Sequence, residues 1–161
     1  MINKAIILAG GTGTRLKPIT LTTNKQLLPI YDKPLIYYPL SSLMLAGIRN
    51  ILIIVNKGLV QNFKKILSDG SHLGIKISYK EQSKPTGIPD AFTIGKKFIK
   101  SDNIALILGD NFFFGTGFTG LLEKAKSMKS GCYIFLKDVK NPENYGVAVI
   151  KNKKILKILE K

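Results

Sequence analysis

Residues suited to chemistry collect at a few points along the chain. Lys4–Thr20 reads KAIILAGGTGTRLKPIT, an apolar run that passes into a loop holding Gly10, Gly11 and Gly13 among Thr12, Thr14 and Arg15. Glycines open backbone conformations closed to other residues and let amide N–H groups come close to an anion. The guanidinium of Arg15 is planar, permanently charged and shaped for phosphate oxygens. Lys25, ten residues on, offers a second cation. These parts read as a phosphate site, although a tight turn whose glycines only relieve strain would use the same residues. Asp110 directly follows the buried run Asn103–Gly109; taken alone it is a turn residue or a helix cap as readily as a site residue.

Two familiar phosphate motifs are excluded. A dinucleotide fingerprint needs G-x-G-x-x-G, and counting from Gly11 and Gly13 its third glycine falls on Leu16. A Walker A loop ends in Gly-Lys-Ser/Thr, which is absent. The only histidine, His72, lies in the polar stretch SDGSHLG and reads as a loop residue.

The elements that must position these residues alternate along the chain. Lys4–Ala9 is unbroken apolar, as in a strand covered on both faces. Pro34 fits the first turn of a helix running to Ala46, with Gly47 as its stop. Asn50–Val55 is a strand, Val60–Leu67 a helix and Ile75–Tyr79 a strand. Pro89–Lys97 reads as helix, Asn103–Gly109 as a buried strand, Phe118–Met128 as helix and Gly131–Lys137 as strand. Tyr145–Ile150 and Lys154–Leu159 flank a short turn and suggest a hairpin. Strands alternating with helices imply βαβ units and a mostly parallel sheet. In such sheets ligands bind beyond the carboxyl ends of the strands, which nominates the loops after Ala9, Val55, Tyr79 and Leu108.

Composition narrows the function classes. The chain has 161 residues, 45% apolar and 22% charged, enough for one domain with its own core, so residues 1–161 are expected to form a single domain. Its apolar runs are strand-length, well short of the roughly 18 residues a membrane helix needs, and no membrane partner is expected. The net charge of +15 is carried almost wholly by scattered lysines, with Arg15 and Arg49 the only arginines. A nucleic-acid surface would cluster its charge and interleave aromatics, so a solvated lysine surface is expected and no nucleic-acid partner. The single cysteine, Cys132, is expected to be a buried, reduced thiol, which fits a cytoplasmic address.

The blocks GGTGTRLKPIT (Gly10–Thr20), KQLLPIYDKPLIYYPLSSLMLAGIR (Lys25–Arg49), LGDN (Leu108–Asn111) and YGV (Tyr145–Val147) resemble the sugar-1-phosphate nucleotidylyltransferases, most densely their glucose-1-phosphate thymidylyltransferase branch. The resemblance spans essentially the whole chain. It implies a Rossmann-like three-layer αβα nucleotide-binding fold, mostly parallel, with a C-terminal hairpin. The activity it implies is attack by the phosphate oxygen of glucose 1-phosphate on the α-phosphorus of dTTP, giving dTDP-glucose and pyrophosphate with Mg2+ as cofactor. Branch members feed deoxysugar pathways such as that to rhamnose. A phosphate nucleophile is already anionic near neutral pH, so no general base is called for.

By the same resemblance Gly10, Gly11, Thr12, Gly13, Thr14 and Arg15 embrace the nucleotide phosphates, with Leu8, Gln26 and Leu108 bordering the nucleotide. Lys25 meets the departing pyrophosphate, Gln82 and Gly87 meet the base, and Pro85 is a further nucleotide-binding residue. Asp110 binds the metal, and Arg15, Lys25 and Asp110 form the catalytic set. Tyr145 and Gly146 hold the sugar, while Glu160 and Lys161 open an EKP motif for the sugar phosphate. Members of the family approach twice this length and form homo-oligomers. The expectation is therefore a form truncated at its C-terminus, monomeric or dimeric, weakly active or inactive. A nucleotidylyltransferase using UTP or CTP, and a non-catalytic nucleotide-binding module, are the alternatives.

Overall fold

In a computed structural model, residues 2–84, 86–152 and 154–159 are described. The chain divides into two compact units, Met1–Lys129 and Ser130–Lys161.

The first unit is built on a parallel sheet of β1 (Lys4–Ala9), β4 (Asn50–Asn56), β5 (Lys76–Gln82) and β6 (Ile104–Leu108), in the order β5-β4-β1-β6. Side chains alternate across a strand, so the apolar run of β1 feeds two cores at once. Ala5, Ile7 and Ala9 join Ile51, Ile53 and Val55 of β4 on one face, beneath α1 (Tyr37–Leu45) and α2 (Val60–Leu67). Ile6 joins Leu52 and Ile54 on the other, beneath α3 (Asp90–Ile94) and α4 (Lys96–Ile99). This is the expected helix–sheet–helix layering. In α2, Phe63 and Leu67 lie one turn apart and are wholly buried, while Lys64 and Lys65 end the helix where cations suit its dipole. A further helix, α5 (Phe118–Lys126), follows β6. No helix among the described residues is long and apolar enough to cross a membrane.

The local expectations fail in four places. Pro34 does not open a helix: Lys33–Pro34 forms β3, paired antiparallel with β2 (Pro29–Ile30). Helix α1 begins three residues later, with Pro39 in its first turn, where a missing N–H costs nothing because those donors have no intrahelical partner. The helix expected over Pro89–Lys97 is divided at Gly95, where a Cβ would lie 2.7 Å from Ile6 Cδ1 of the strand beneath. Strand β5 runs past Tyr79 to Gln82.

The second unit holds an antiparallel hairpin of β7 (Val147–Lys151) and β8 (Lys154–Leu159), as expected. Gly131–Lys137 is not a strand there: it is exposed and belongs to none of the described sheets. Cys132 within it is exposed, against the expectation of a buried thiol.

Candidate functional site

Strand order decides where a site can form. From β1 the chain goes to β4 and β5 on one side, then returns to β6 on the other, so the loops leaving β1 and β6 part between neighbouring strands. Such a switch point is where open parallel sheets bind ligands. The Gly-rich loop and Asp110 stand at its two lips.

The loop is shaped by specific contacts. Gly13 is in the left-handed region (φ 58, ψ 30), and a Cβ there would lie 2.8 Å from Thr20 Cγ2, so glycine is required twice over. Its carbonyl accepts from the Leu16 amide at 2.9 Å and from Thr20 Oγ1 at 2.8 Å, which closes the turn Thr14–Leu16. That turn presents Arg15, exposed and in no salt bridge among the described residues.

Lys25 is held from the other direction. Asn24, buried, caps the turn Lys25–Leu27 by accepting from the Gln26 amide at 3.0 Å. The β2–β3 ribbon returns the chain so that the Ile36 amide donates to Gln26 O and the Leu35 amide to Leu28 O, both at 2.9 Å. The KP pair mistaken for a helix start thus belongs to the brace behind Lys25. Lys25 Nζ then reaches Asp110 Oδ2 at 2.7 Å across the crevice. Gly109 brings β6 close to β1: its amide donates to Leu8 O at 2.9 Å, and a Cβ on it would meet Gln26 Cγ and Ala9.

Gly11, Gly13, Thr14, Arg15, Leu16, Lys25, Gln26 and Asp110 line one cavity of about 280 Å³. Its charged lining is two cations and one carboxylate, a balance that favours an anion, and the carboxylate is the one engaged by Lys25. Gln26 Oε1 is buried without a hydrogen-bond partner among the described residues, so the wall of this cavity offers an acceptor that awaits a donor.

Gln82, only 3% exposed, ends β5 beside the loop. It packs on the backbone of Gly10, where a Cβ would fall on the Gln82 amide nitrogen. Gln82 Nε2 donates to Asn56 Oδ1 at 3.0 Å, and Asn56 Nδ2 donates to Gly11 O at 3.3 Å. Asn56 escaped the sequence reading, although it ends β4 at one of the nominated carboxyl ends. Gly87 has φ 104 in the loop before α3, where Thr86 Oγ1 donates to Asp90 Oδ2 at 2.6 Å.

Many of the expected residues therefore meet: Gly11, Gly13, Thr14, Arg15, Lys25, Gln26 and Asp110 at one cavity, with Leu8 and Leu108 paired at the ends of β1 and β6. Thr12 is exposed within the loop. Tyr145 and Gly146 belong to the second unit, both exposed, between the turn Pro142–Asn144 and β7. Pro85, Glu160 and Lys161 lie outside the described residues.

The family described as Nucleotidyl transferase matches residues 4–161. A glucose-1-phosphate thymidylyltransferase of Neisseria meningitidis is 56% identical over 144 residues, covering 89% of this chain and 50% of that protein. One from Xanthomonas campestris is 49% identical over 159 residues, 98% of this chain and 54% of the relative. The chain thus spans about half the length of the curated relatives it matches. Among solved structures, a Bacillus anthracis protein provisionally assigned as a glucose-1-phosphate thymidylyltransferase, in complex with a sucrose, superposes with a TM-score of 0.89 at 39% identity. It is matched over 98% of this chain and 63% of its own. The inositol-1-phosphate CTP transferase of T. maritima superposes with a TM-score of 0.78 at 26% identity, over 98% and 63%.

Proposed function

The chain belongs to the nucleotidyl transferase family, and from that premise we propose that it carries the nucleotide half of a glucose-1-phosphate thymidylyltransferase site. The reaction joins a phosphate oxygen of glucose 1-phosphate to the α-phosphorus of dTTP and breaks the bond from that phosphorus to the bridging oxygen of the β-phosphate. The products are dTDP-glucose and pyrophosphate. The observation that carries the reading is the Lys25–Asp110 contact facing Arg15 and the Gly-rich loop across the β1/β6 crevice.

Two anions must be brought together, and negative charge grows on the departing pyrophosphate, so catalysis here is alignment and charge neutralisation. The loop backbone from Gly10 to Thr14 and the Arg15 guanidinium hold the phosphates, while Lys25 meets the oxygens that leave. Asp110 would hold a magnesium ion, as a hard oxygen donor in the wall beside the phosphate loop, with substrate phosphates and water as its other ligands. When bound, that ion supplies further neutralisation of the pyrophosphate. Gln82 and Gly87 read the base.

A second reading has its own support. It is a nucleotide-binding module without turnover, since the charged residues that meet at the cavity are the ones assigned to the nucleotide phosphates and the metal. Both readings are tested by supplying the purified chain with glucose 1-phosphate, magnesium and each nucleoside triphosphate in turn, measuring binding and pyrophosphate release. Preferential binding of dTTP with release supports the transferase. Preferential binding without release supports the module, and indifference to dTTP refutes both.

A further inference from the structure

We propose that Asn56 is a positioning residue: it sets which end of the Gln82 side-chain amide faces the base, so that the site selects a pyrimidine bearing N3–H. The inference rests on the proposed role of Gln82 in base reading and assigns a cause to its selectivity.

Asn56 and Gln82 are register partners at the carboxyl ends of β4 and β5, so their side chains leave the sheet side by side. An amide can present either its oxygen or its nitrogen, and the choice is only as firm as the network that pins it. The relay is pinned at its far end by a group with no choice. The backbone carbonyl of Gly11 can only accept, so Asn56 must turn its NH2 toward it. That leaves Asn56 Oδ1 for Gln82, and Gln82 must answer with Nε2. The end of the Gln82 amide that faces away from Asn56 is therefore the carbonyl, Oε1. Gly10 walls the other side, with just enough room for the amide because it carries no Cβ.

An amide held this way offers an acceptor. Thymine and uracil carry a donor at N3 and match it; cytosine carries a lone pair at N3 and opposes it. The relay also ties base reading to the phosphate loop, because the residue that orients Gln82 is bonded to Gly11.

Calorimetric binding of dTTP and dCTP to the purified chain tests the proposal in the native protein, Asn56→Ala and Asn56→Asp. Without the Asn56 side chain Gln82 is free to turn over, and the preference for dTTP should fall at least tenfold, about 1.4 kcal/mol. In Asn56→Asp the carboxylate still accepts from Gln82 Nε2, so the preference should survive. The bond to Gly11 is lost and a negative charge comes to the loop, so both nucleotides should weaken together by at least tenfold. A merely structural role for Asn56 would move both nucleotides alike in both variants. Should Asn56→Ala fail to fold, Asn56→Ser, too short to span from Gln82 to Gly11, takes its place with the same expectation. A native preference retained in Asn56→Ala overturns the inference alone. A native chain without preference for dTTP overturns the base-reading role of Gln82 on which it rests.

Discussion

Two adjacent glycines should respond unequally to the same added methyl group. At Gly10 a Cβ would coincide with the Gln82 amide nitrogen and lie 3.0 Å from its Oε1. At Gly11 nothing stands within 4 Å. Neither residue is in the left-handed region, so backbone strain does not separate them. Gly10→Ala has two escapes. Gln82 can swing away, losing its bond to Asn56 and leaving buried polar atoms alone, at about 1–3 kcal/mol. Alternatively the end of β1 can shift against a packed core, at about 1–3 kcal/mol for overfilling. Either route points to roughly 2 kcal/mol, and in a chain of this size that lowers Tm by about 4–8 °C. Gly11→Ala should stay within about 0.5 kcal/mol of the native chain. On a Gln82→Ala background the clash has nothing to meet, so Gly10→Ala should lose most of its cost, a coupling of about 1 kcal/mol or more. Thermal and urea unfolding of the five proteins read all of these numbers. Equal melting of Gly10→Ala and Gly11→Ala would refute the packing of Gln82 on the loop.

Three other outcomes follow from neighbouring features. Phe63 is wholly buried between α2 and the sheet, and Phe63→Ala should cost about 3–5 kcal/mol in urea unfolding; a loss below about 1 kcal/mol contradicts that core. Burial pushes the Tyr79 phenol up to about 12, with the Asp69 charge adding to it, and its hydroxyl donates to Ser68 O. Unfolded tyrosine titrates near 10, so the unfolded chain gives up this proton first. The stability from Tyr79 is full below about pH 10 and is lost as pH rises toward about 12. Tyrosinate absorbance should show a late-titrating step that Tyr79→Phe removes, and a titration curve unchanged by that variant refutes the shift. Lys25→Met should weaken triphosphate binding at least tenfold while changing stability by less than about 1 kcal/mol, since the Lys25–Asp110 pair is about one-third exposed. A large loss of stability with intact binding would make that pair structural.

Elements whose apolar pattern completes its own burial were legible in the sequence. In β1 both alternating sets are apolar because Ile7 and Ile6 enter cores on opposite faces. In α2 the spacing of Phe63 and Leu67 is itself the buried stripe. The pattern misled where the outcome depends on distant chain. Gly131–Lys137 is as apolar as a strand, but a strand exists only through a ladder, and the neighbour that supplies a ladder is not written into the segment. Pro34 has the φ of a helix start and serves an edge of the β2–β3 ribbon equally well; only the bonds from Leu35 and Ile36 back to Leu28 and Gln26 decide between them.

The site divides the same way. Gly13 and Arg15 announce themselves by residue type after an apolar run, while Asp110 is singled out only by the LGDN block that carries the family resemblance. Asn56 does not, since asparagine after a strand is the commonest kind of turn residue, and its meaning comes from two partners on separate elements. What unites the legible and illegible parts is strand order. Placing β1 between β4 and β6 brings Gly10 against Gln82 and Gly11 to Asn56 on one side and opens the crevice to Lys25 and Asp110 on the other. The first side offers an oriented amide and the second offers charge. On the proposed reading, a single central strand end serves the phosphate and the base together, so a change to Gly10 or Gly11 should be felt in the binding of both.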